Sequence, residues 1–287
     1  MPPRSIAPPR LPARPRECHK GSFGRLLIAA GSVGYTGAPT LCARAAVRAG
    51  AGLVFLGVPE AIYPITAVKN DEAMPFPLPC DDAGRLSAAA ADVLLPRLAR
   101  CTALVLGPGL GRTDALRQLV PQLTRAARCP VVLDADALWA VADAPEALRG
   151  TDEAPVLVTP HLGEFALLSG RYDGDRAAAA RAFSLEHGCI TVLKGPGTAV
   201  AFPDGDVLVN PTGGPGLAKG GSGDVLSGVL GALLGQLPLR EAVCAAVWLH
   251  GRAGDLACAL QGEYAMTATD VIAQLGPALS AVTAHPA

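Results

Sequence analysis

Short apolar segments of strand length recur along this chain, and stretches of helical length separate most of them. The strand-like segments are residues 26–30, 53–58, 103–106, 131–134, 156–159 and 190–193. Between them lie alanine- and leucine-rich stretches such as residues 36–49, 114–127 and 176–187. Strands that are apolar on both faces must be covered on both faces. This alternation therefore predicts an α/β fold, with a mostly parallel central sheet covered by helices on both faces.

Two stretches depart from this alternation. Residues 198–210 contain two β-like runs around Pro203-Asp204-Gly205-Asp206, a pattern typical of a hairpin. Residues 1–18 are rich in proline and arginine and lack an apolar segment, so we expect a disordered tail without a targeting function. Half of the 287 residues are apolar, and no linker or repeat divides residues 19–287, so we expect them to form a single domain.

Composition argues against several classes of partner. The net charge is −1, which lacks the basic footprint of a nucleic-acid binder. A long uncharged run in the C-terminal half, residues 225–239, is too short and too broken by glycine to span a membrane. The eight cysteines include no C-x-x-C pair and mostly lie in apolar patterns. We expect reduced core thiols in a soluble, cytoplasmic protein.

A glycine-rich turn, residues 213–224, runs directly into an apolar segment of helical length. Backbone N–H groups and the positive end of a helix dipole converge at such a turn, which suits an anion such as phosphate. A carboxylate at this place, Asp224, is repelled by the anion unless it performs chemistry or holds a cation. Asp224 is therefore a candidate base facing a transferable phosphoryl group, with helix capping as the alternative.

Three familiar motifs are absent. The chain contains no Gly-x-x-x-x-Gly-Lys-Ser/Thr and no Gly-x-Gly-x-x-Gly. Ser222 lacks the second glycine of a nucleophile elbow, because Asp224 stands in that position. Phosphate binding must therefore use an architecture other than the Walker or dinucleotide loops.

Glycine-rich and polar segments follow five of the predicted strands. They are Gly31-Ser32, Gly107-Pro108-Gly109-Leu110-Gly111, Asp134-Ala135-Asp136, Thr159-Pro160-His161-Leu162-Gly163-Glu164 and Lys194-Gly195-Pro196-Gly197-Thr198. Ligands of open α/β sheets bind beyond the carboxyl ends of the strands, so we expect the five loops to converge on one site. Taken singly, each has a structural alternative: tight turns for the glycines, a cap for Asp134, and a satisfied polar residue for His161.

These motifs resemble, in order and spacing, the ADP-dependent NAD(P)H-hydrate dehydratases of the ribokinase-like superfamily. The resemblance spans nearly the whole chain after residue 18. Gly-Ser-Gly-Asp at 221–224 is typical of the superfamily, whereas Asp-Ala-Asp-Ala-Leu at 134–138 and Thr-Pro-His-Leu-Gly-Glu at 159–164 are more specific to the dehydratases. The resemblance also rests on these segments: His19-Lys20-Gly21, Gly24, Gly31-Ser32, Tyr35-Thr36-Gly37-Ala38-Pro39, Gly50-Ala51-Gly52-Leu53-Val54, Gly107 to Gly111, Leu193-Lys194-Gly195 and Gly220.

The resemblance implies a ribokinase-like three-layer sandwich and a repair reaction. NADH or NADPH hydrated at C6 of the nicotinamide ring (NADHX or NADPHX) receives a phosphoryl group on that hydroxyl. Phosphate then leaves, and the ring double bond is restored. A kinase-type site thereby serves a lyase, because phosphate is a far better leaving group than hydroxide. The implied phosphoryl donor is ADP or ATP, and the implied metal is Mg²⁺.

Residue roles follow from the same resemblance. Asp224 takes the proton of the C6 hydroxyl, while the N–H groups of Gly221, Ser222 and Gly223 stabilise charge on the phosphoryl group. Glu164 corresponds to an acidic residue that orients Mg²⁺ through water, with a first-turn helix glutamate as the alternative. The nucleotide-contacting positions are Lys194, Gly195, Pro196, Gly197, Thr198 and Gly223. The positions contacting the hydrated dinucleotide are Ala38, Gly109, His161 and Asp224.

The resemblance also implies a homotetramer and a separate epimerase that interconverts the two hydrate epimers. The family often carries an acidic residue where Ser22 stands and Asn where Gly214 stands, so we expect altered loop contacts with activity retained. A kinase of the same superfamily, acting on a hydroxymethylpyrimidine or hydroxyethylthiazole, is the nearest alternative. A non-catalytic nucleotide-binding module would be expected to have lost the base, whereas Asp224 is present.

Overall fold

The computed structural model describes residues 3–169, 172 and 174–284. The described residues form ten strands in one sheet. The strands are β1 Arg4–Ser5, β2 Arg25–Ala29, β3 Leu53–Pro59, β4 Met74–Leu78, β5 Ala103–Leu106, β6 Val131–Leu133, β7 Val156–Val158, β8 Ile190–Leu193, β9 Ala199–Ala201 and β10 Val207–Val209. Their spatial order is β1-β10-β9-β8-β7-β6-β5-β2-β3-β4. Pairing is parallel except at β8–β9 and β9–β10. Strands β9 and β10 form the predicted hairpin.

Helices cover both faces of the sheet. The α-helices are α1 Gly37–Arg48, α2 Tyr63–Lys69, α3 Ala90–Leu98, α4 Asp114–Ala126, α5 Asp136–Val141, α6 Leu162–Ser169, α7 Arg176–His187, α8 Ser222–Leu234, α9 Leu239–Gln261 and α10 Ala268–Ser280. None of the helices described is both long enough and apolar enough to cross a bilayer.

Two hydrophobic cores lie on opposite faces of the sheet, because alternate side chains of each strand point in opposite directions. In β2, Leu26 and Ile28 belong to one core and Leu27 and Ala29 to the other. Helices α1, α8, α9 and α10 contribute to the first core, and α3, α4, α5 and α7 to the second. This arrangement confirms the three-layer α/β architecture predicted from the apolar segments.

The structure differs from the disordered tail expected at residues 1–18. From residue 3 onward this stretch lies against the domain: β1 pairs in parallel with β10, and Ile6 is buried. Leu11 exchanges backbone hydrogen bonds with residues 282 and 284, and the Arg14 guanidinium lies 3.8 Å from the centroid of the Phe23 ring. Two apolar anchors and a cation–π contact hold this stretch in place, although its proline and arginine content is typical of disorder.

All eight cysteines are free thiols, as expected. The expected core placement holds for Cys42, Cys129 and Cys189, which are buried, whereas Cys18 is exposed and the other four are half-buried.

Candidate active site

The loops that follow the parallel strands meet at one edge of the sheet. The Gly31 N–H donates to the Pro108 carbonyl at 2.8 Å, and the Ser32 hydroxyl donates to the Gly109 carbonyl at 2.8 Å. On the other side of the edge, the Lys194 N–H donates to the Pro160 carbonyl at 2.8 Å. The structure thus brings together segments that lie far apart in the chain.

Gly107 shows how closely two of these loops approach. Its φ is +128°, and a Cβ at this position would lie 1.7 Å from the Asp134 carbonyl oxygen. Only glycine can occupy that space, because any side chain would displace the backbone that carries Asp134.

The turn after β6 is strained. Ala135 has φ 49° and ψ −116°, and it is the one non-glycine residue with positive φ in the part of the chain that the structure describes. Such a conformation costs on the order of 1–3 kcal/mol and persists where surrounding contacts impose it. The next residue makes one such contact: the Asp136 carboxylate accepts a 2.8 Å hydrogen bond from the Gly111 N–H. The loop after β5 thus holds the turn that follows Asp134.

A buried ion pair occupies the centre of this edge. Asp134 is 1% exposed, its Oδ1 accepts from Lys194 Nζ at 2.8 Å, and its Oδ2 accepts from the Ser227 hydroxyl at 2.8 Å. Burial alone would raise the pKa of Asp134, but the Lys194 ammonium and the hydrogen bonds from Lys194, Ser227 and Thr159 bring it below its usual value. Burial likewise opposes charge on Lys194, yet the carboxylates of Asp134, Glu164 and Asp224 raise its pKa. Both groups are therefore charged.

The glycine-rich turn begins helix α8, and Lys194 faces its first turn. Gly221 is the N-cap with φ 92°, and a Cβ there would lie 2.6 Å from Leu41 Cδ1. A Cβ on Gly223 would instead point towards the ion pair, 3.4 Å from Lys194 Nζ and 3.7 Å from Asp134 Oδ2. The start of the helix, a lysine ammonium and the carboxylate that holds it therefore converge on one spot.

Asp224 is the third residue of α8, and the position of the N-cap is taken by Gly221 without a side-chain capping bond. The capping alternative for Asp224 is therefore wrong. Burial and the nearby Asp134 carboxylate raise the pKa of Asp224 to about 7, although Lys194 opposes the shift. A carboxyl group with this pKa can accept a proton near neutral pH, as a general base requires.

Residues 194–198 form a small loop beside the ion pair. The Thr198 hydroxyl donates to the Gly195 carbonyl at 3.0 Å and accepts from the Gly195 N–H at 3.3 Å. Gly195, Pro196 and Gly197 are exposed. The loop therefore has an internally braced backbone and an open surface on which a ligand can lie.

His161 and Glu164 cap helix α6 reciprocally. His161 Nδ1 accepts from the N–H groups of Gly163 at 3.0 Å and Glu164 at 3.2 Å, while Glu164 Oε2 accepts from the His161 N–H at 2.8 Å. This is the geometry of a capping box, with an imidazole as the capping group. Because Nδ1 accepts, the proton of the neutral ring lies on Nε2, 3.5 Å from Glu164 Oε1. The imidazole is exposed, and its Nδ1 is satisfied by the start of the helix, as the structural alternative for His161 expected.

Ala38 and Gly109 lie next to each other, in the segments that follow β2 and β5. A Cβ on Gly109, where φ is +65°, would lie 2.9 Å from Tyr35 Cβ and 3.1 Å from Ala38 Cβ. Tyr35 itself is 61% exposed. The structure thus places two of the predicted dinucleotide contacts together, beside an aromatic ring that the sequence interpretation did not assign a role.

The protein groups alone do not form a metal cage. Within residues 3–169, 172 and 174–284, no three His, Cys, Asp or Glu side chains are arranged to hold an ion. Glu164 Oε2 already accepts from the His161 N–H and lies 3.6 Å from Lys194 Nζ. This donor set fits Mg²⁺ only where phosphate oxygens and water complete the coordination, as is usual for nucleotide-bound magnesium.

Sequence reasoning placed Asp134 in one of the converging loops without giving it a role, and it missed Ser227 altogether. Asp134 appeared only as one loop residue, and Ser227 lies one turn inside an apolar helix. The sequence signal for Ser227 was a hydroxyl in an otherwise apolar stretch, where a buried hydroxyl needs a polar partner.

Comparisons with known proteins agree with this geometry. The sequence profile of the NAD(P)H-hydrate dehydratase family matches residues 26–276. The bifunctional NAD(P)H-hydrate repair enzyme of Moorella thermoacetica is 46% identical over 269 residues, which cover 92% of this chain and 50% of that protein. The ADP-dependent (S)-NAD(P)H-hydrate dehydratase of Neisseria meningitidis is 40% identical over 253 residues, which cover 85% of this chain and 80% of that protein. The chain spans about half the length of the bifunctional relatives it matches.

A solved structure is similar over almost the whole chain. The ADP/ATP-dependent NAD(P)H-hydrate dehydratase of Bacillus subtilis, co-crystallised with ATP and Mg²⁺, superposes with a TM-score of 0.81 at 32% identity. The alignment covers 95% of both chains. The predicted ribokinase-like fold is confirmed.

Proposed function

The chain belongs to the NAD(P)H-hydrate dehydratase family, and we propose that it converts the hydrated dinucleotides NADHX and NADPHX back to NADH and NADPH with ADP or ATP as phosphoryl donor. Membership of the family does not say which side chains of this chain carry out the reaction. One observation carries the proposal: Asp224, with a pKa of about 7, lies in the first turn of α8 beside the Lys194 ammonium.

The first step transfers a phosphoryl group. The oxygen of the C6 hydroxyl attacks the terminal phosphorus of ADP, the bond to the bridging oxygen breaks, and AMP leaves. Asp224 accepts the hydroxyl proton as the new bond forms. The N–H groups at the start of α8 and the Lys194 ammonium stabilise the charge on the transferred group.

The second step expels phosphate. The lone pair of the ring nitrogen displaces the C6–O bond, phosphate departs with both electrons of that bond, and transfer of the C5 proton to the released phosphate restores the double bond. The sum is ADP and hydrate giving AMP, phosphate and NAD(P)H. Phosphorylation makes the oxygen a good leaving group, which is why a kinase-type site suits a dehydration.

The remaining predicted contacts fit these partners. Residues 194–198 offer an exposed, internally bonded loop to the nucleotide. The hydrated dinucleotide would contact Ala38, Gly109 and the exposed imidazole of His161. Glu164 would hold Mg²⁺ through water, and the ion would neutralise charge on the donor phosphates. Without that cation, three carboxylates, Asp134, Glu164 and Asp224, oppose a polyphosphate with one lysine between them.

The test follows the absorbance of reduced nicotinamide. Purified protein is mixed with NADPHX and Mg²⁺, and ADP, ATP or no nucleotide is added. We expect recovery of the absorbance band with either donor or both, no recovery without a donor, and one phosphate released for each NADPH formed. Consumption of ADP that yields a stable phosphorylated product would instead indicate a small-molecule kinase, and absence of turnover with both donors and both hydrates would contradict the proposal.

Two further parts of the proposal concern partners. We propose that an epimerase supplies the reactive hydrate epimer and that four copies of the chain assemble. Residual hydrate left after complete reaction of an epimer mixture tests the first. Light scattering of the purified protein tests the second.

A further inference from the structure

Arg176 occupies a place that helix formation does not explain. It is the first residue of α7, whose N-cap Asp175 already accepts a 3.0 Å hydrogen bond from the Ala178 N–H. A positive charge in the first turn of a helix is opposed by the helix dipole. Some other interaction must hold the guanidinium there.

That interaction is with the backbone of the loop at residues 194–198. Arg176 Nη1 donates to the Pro196 carbonyl at 2.6 Å. A Cβ on Gly195 would lie 2.6 Å from Arg176 Nη2 and 2.9 Å from its Cζ. The guanidinium therefore lies against the bare Cα of Gly195 and contacts the backbone on both sides of the Gly195–Pro196 peptide.

The guanidinium keeps this position although one of its donors is unsatisfied. Nε of Arg176 is buried and has no hydrogen-bond partner in the described part of the chain. Buried donors are normally paired, so the contact with the loop holds the guanidinium in place at the cost of one unpaired donor. Gly195 also has φ +145°, a backbone angle that residues with a side chain rarely adopt.

We propose that Arg176 is a positioning residue for the adenine nucleotide, fixing residues 194–198 in their binding conformation and adding a permanent positive charge beside them. The inference rests on the proposed function, which assigns this loop to the nucleotide. An arginine suits the role because its planar group stays charged at any physiological pH and donates in a fixed geometry. We expect its effect to fall on the nucleotide, because the guanidinium contacts Gly195 and Pro196 of the proposed nucleotide loop.

The matched control is Arg181, on the same helix. Arg181 Nε donates to the Gly205 carbonyl at 2.7 Å, away from the loop. Arg176→Gln and Arg181→Gln therefore each remove a guanidinium that holds a backbone carbonyl, and only the first one faces the proposed nucleotide loop. Arg176→Lys keeps the charge and an N–H donor group but loses the planar geometry of the guanidinium.

The experiment measures ADP affinity by calorimetry, the KM for ADP and for NADPHX, kcat and thermal melting of the full chain. We expect Arg176→Gln to weaken ADP binding and raise its KM about tenfold, with kcat and the KM for NADPHX within about twofold of wild type. Arg176→Lys should weaken ADP binding less than Arg176→Gln does, and Arg181→Gln should change neither the KM for ADP nor the KM for NADPHX. An Arg176→Gln protein that melts earlier but binds ADP as wild type does would overturn the inference alone. Absence of ADP and ATP binding by the wild type would overturn the proposed function and this inference with it.

Discussion

Asp134 and Lys194 form a 2.8 Å ion pair across an intervening strand: Asp134 follows β6, Lys194 follows β8, and β7 lies between them. The pair can form only because all three strands are parallel and end at the same edge. It links the strained turn at Ala135 to the proposed nucleotide loop. Removal of either charge should therefore affect both stability and chemistry.

The first prediction concerns the stability of this pair. Asp134→Asn leaves the Lys194 ammonium, only 20% exposed, without its main counter-ion. We expect a loss of about 3 kcal/mol in the free energy of unfolding, the lower part of the range for a broken buried pair, because Glu164 lies nearby. Ser227→Ala removes one neutral donor and should cost about 1 kcal/mol. Urea denaturation measures both, and equal losses would show that the charge of Asp134 contributes nothing beyond a hydrogen bond.

The second prediction concerns Asp224 as a base. Asp224→Asn keeps the shape of the side chain but cannot accept the proton, so kcat should fall by about a hundred- to ten-thousand-fold. ADP binding should persist or tighten, because a negative charge near the donor phosphates is removed. The measurements are kcat for NADPHX with saturating ADP and Mg²⁺, and an ADP titration. Near-normal turnover would refute the assignment of the base.

The third prediction is a pH dependence of rate. Because burial and Asp134 raise the pKa of Asp224 to about 7, its basic form is lost as the pH falls through about 7. We therefore expect kcat to rise with pH to a plateau above that value. The other groups that interact with Asp224 are Lys194 and the Cys42 thiol, whose pKa burial raises well above its usual value, so neither changes charge in this window. An Asp134→Asn protein should have its acid limb at lower pH, and an unchanged limb would contradict the electrostatic cause.

The same pKa shift predicts a pH dependence of stability. Folded Asp224 binds its proton more tightly than an unfolded aspartate, whose pKa is 3.8. Its contribution to stability is therefore greatest at low pH and declines as the pH rises from about 4 to about 7. Asp224→Asn should melt at or above the wild-type temperature at pH about 8, and its advantage should shrink at pH about 5. Lower melting of the variant at both pH values would show a structural role for the carboxylate.

The fourth prediction separates capping from substrate binding at His161. Asparagine is a good N-cap residue, so His161→Asn should preserve the start of α6 and the melting temperature, whereas the imidazole Nε2–H is lost. We expect the KM for NADPHX to rise about tenfold, the loss of roughly one hydrogen bond, and the KM for ADP to stay unchanged. His161→Ala loses the cap as well and should also melt earlier. If His161→Asn leaves both KM values unchanged, the residue serves only the helix.

The fifth prediction separates two glycines of the same turn. Gly223→Val places a side chain towards Lys194 Nζ, which would be only 3.4 Å from its Cβ, and should weaken ADP binding at least tenfold. Gly221→Ala has φ 92° and would meet Leu41 at 2.6 Å, so its main effect should be a loss of about 2 kcal/mol in stability. Calorimetry and melting curves compare the two variants. Equal effects on affinity and stability in both would contradict the distinction.

Most elements followed from local pattern because their signal is local. The predicted segments 103–106, 190–193 and 176–187 coincide with β5, β8 and α7. Strand β4 was missed because Pro75 and Pro77 argue against a strand, and the structure places it at the edge of the sheet, where proline is tolerated. Strand β1 was missed because two residues carry no periodicity.

The candidate site was less accessible to sequence reasoning. Its loops were identified because each follows an apolar strand. The pairing of Asp134 with Lys194 depends on strand order, which places their strands two positions apart, and the contact between Arg176 and Pro196 depends on where a helix starts above the sheet. Neither distance is encoded in the spacing of residues along the chain.

Gly107 has a consequence for how this protein can be varied. The Asp134 carbonyl occupies the space that a side chain of Gly107 would need. Tyr35 and Ala38 occupy the corresponding space beside Gly109. Each of these loops therefore packs directly against another one. A substitution is acceptable in one loop only if the residues of the loop packed against it leave room, although that loop lies far away in the chain. Libraries that randomise the loops one at a time should yield few active members, whereas blocks exchanged together from relatives should remain functional.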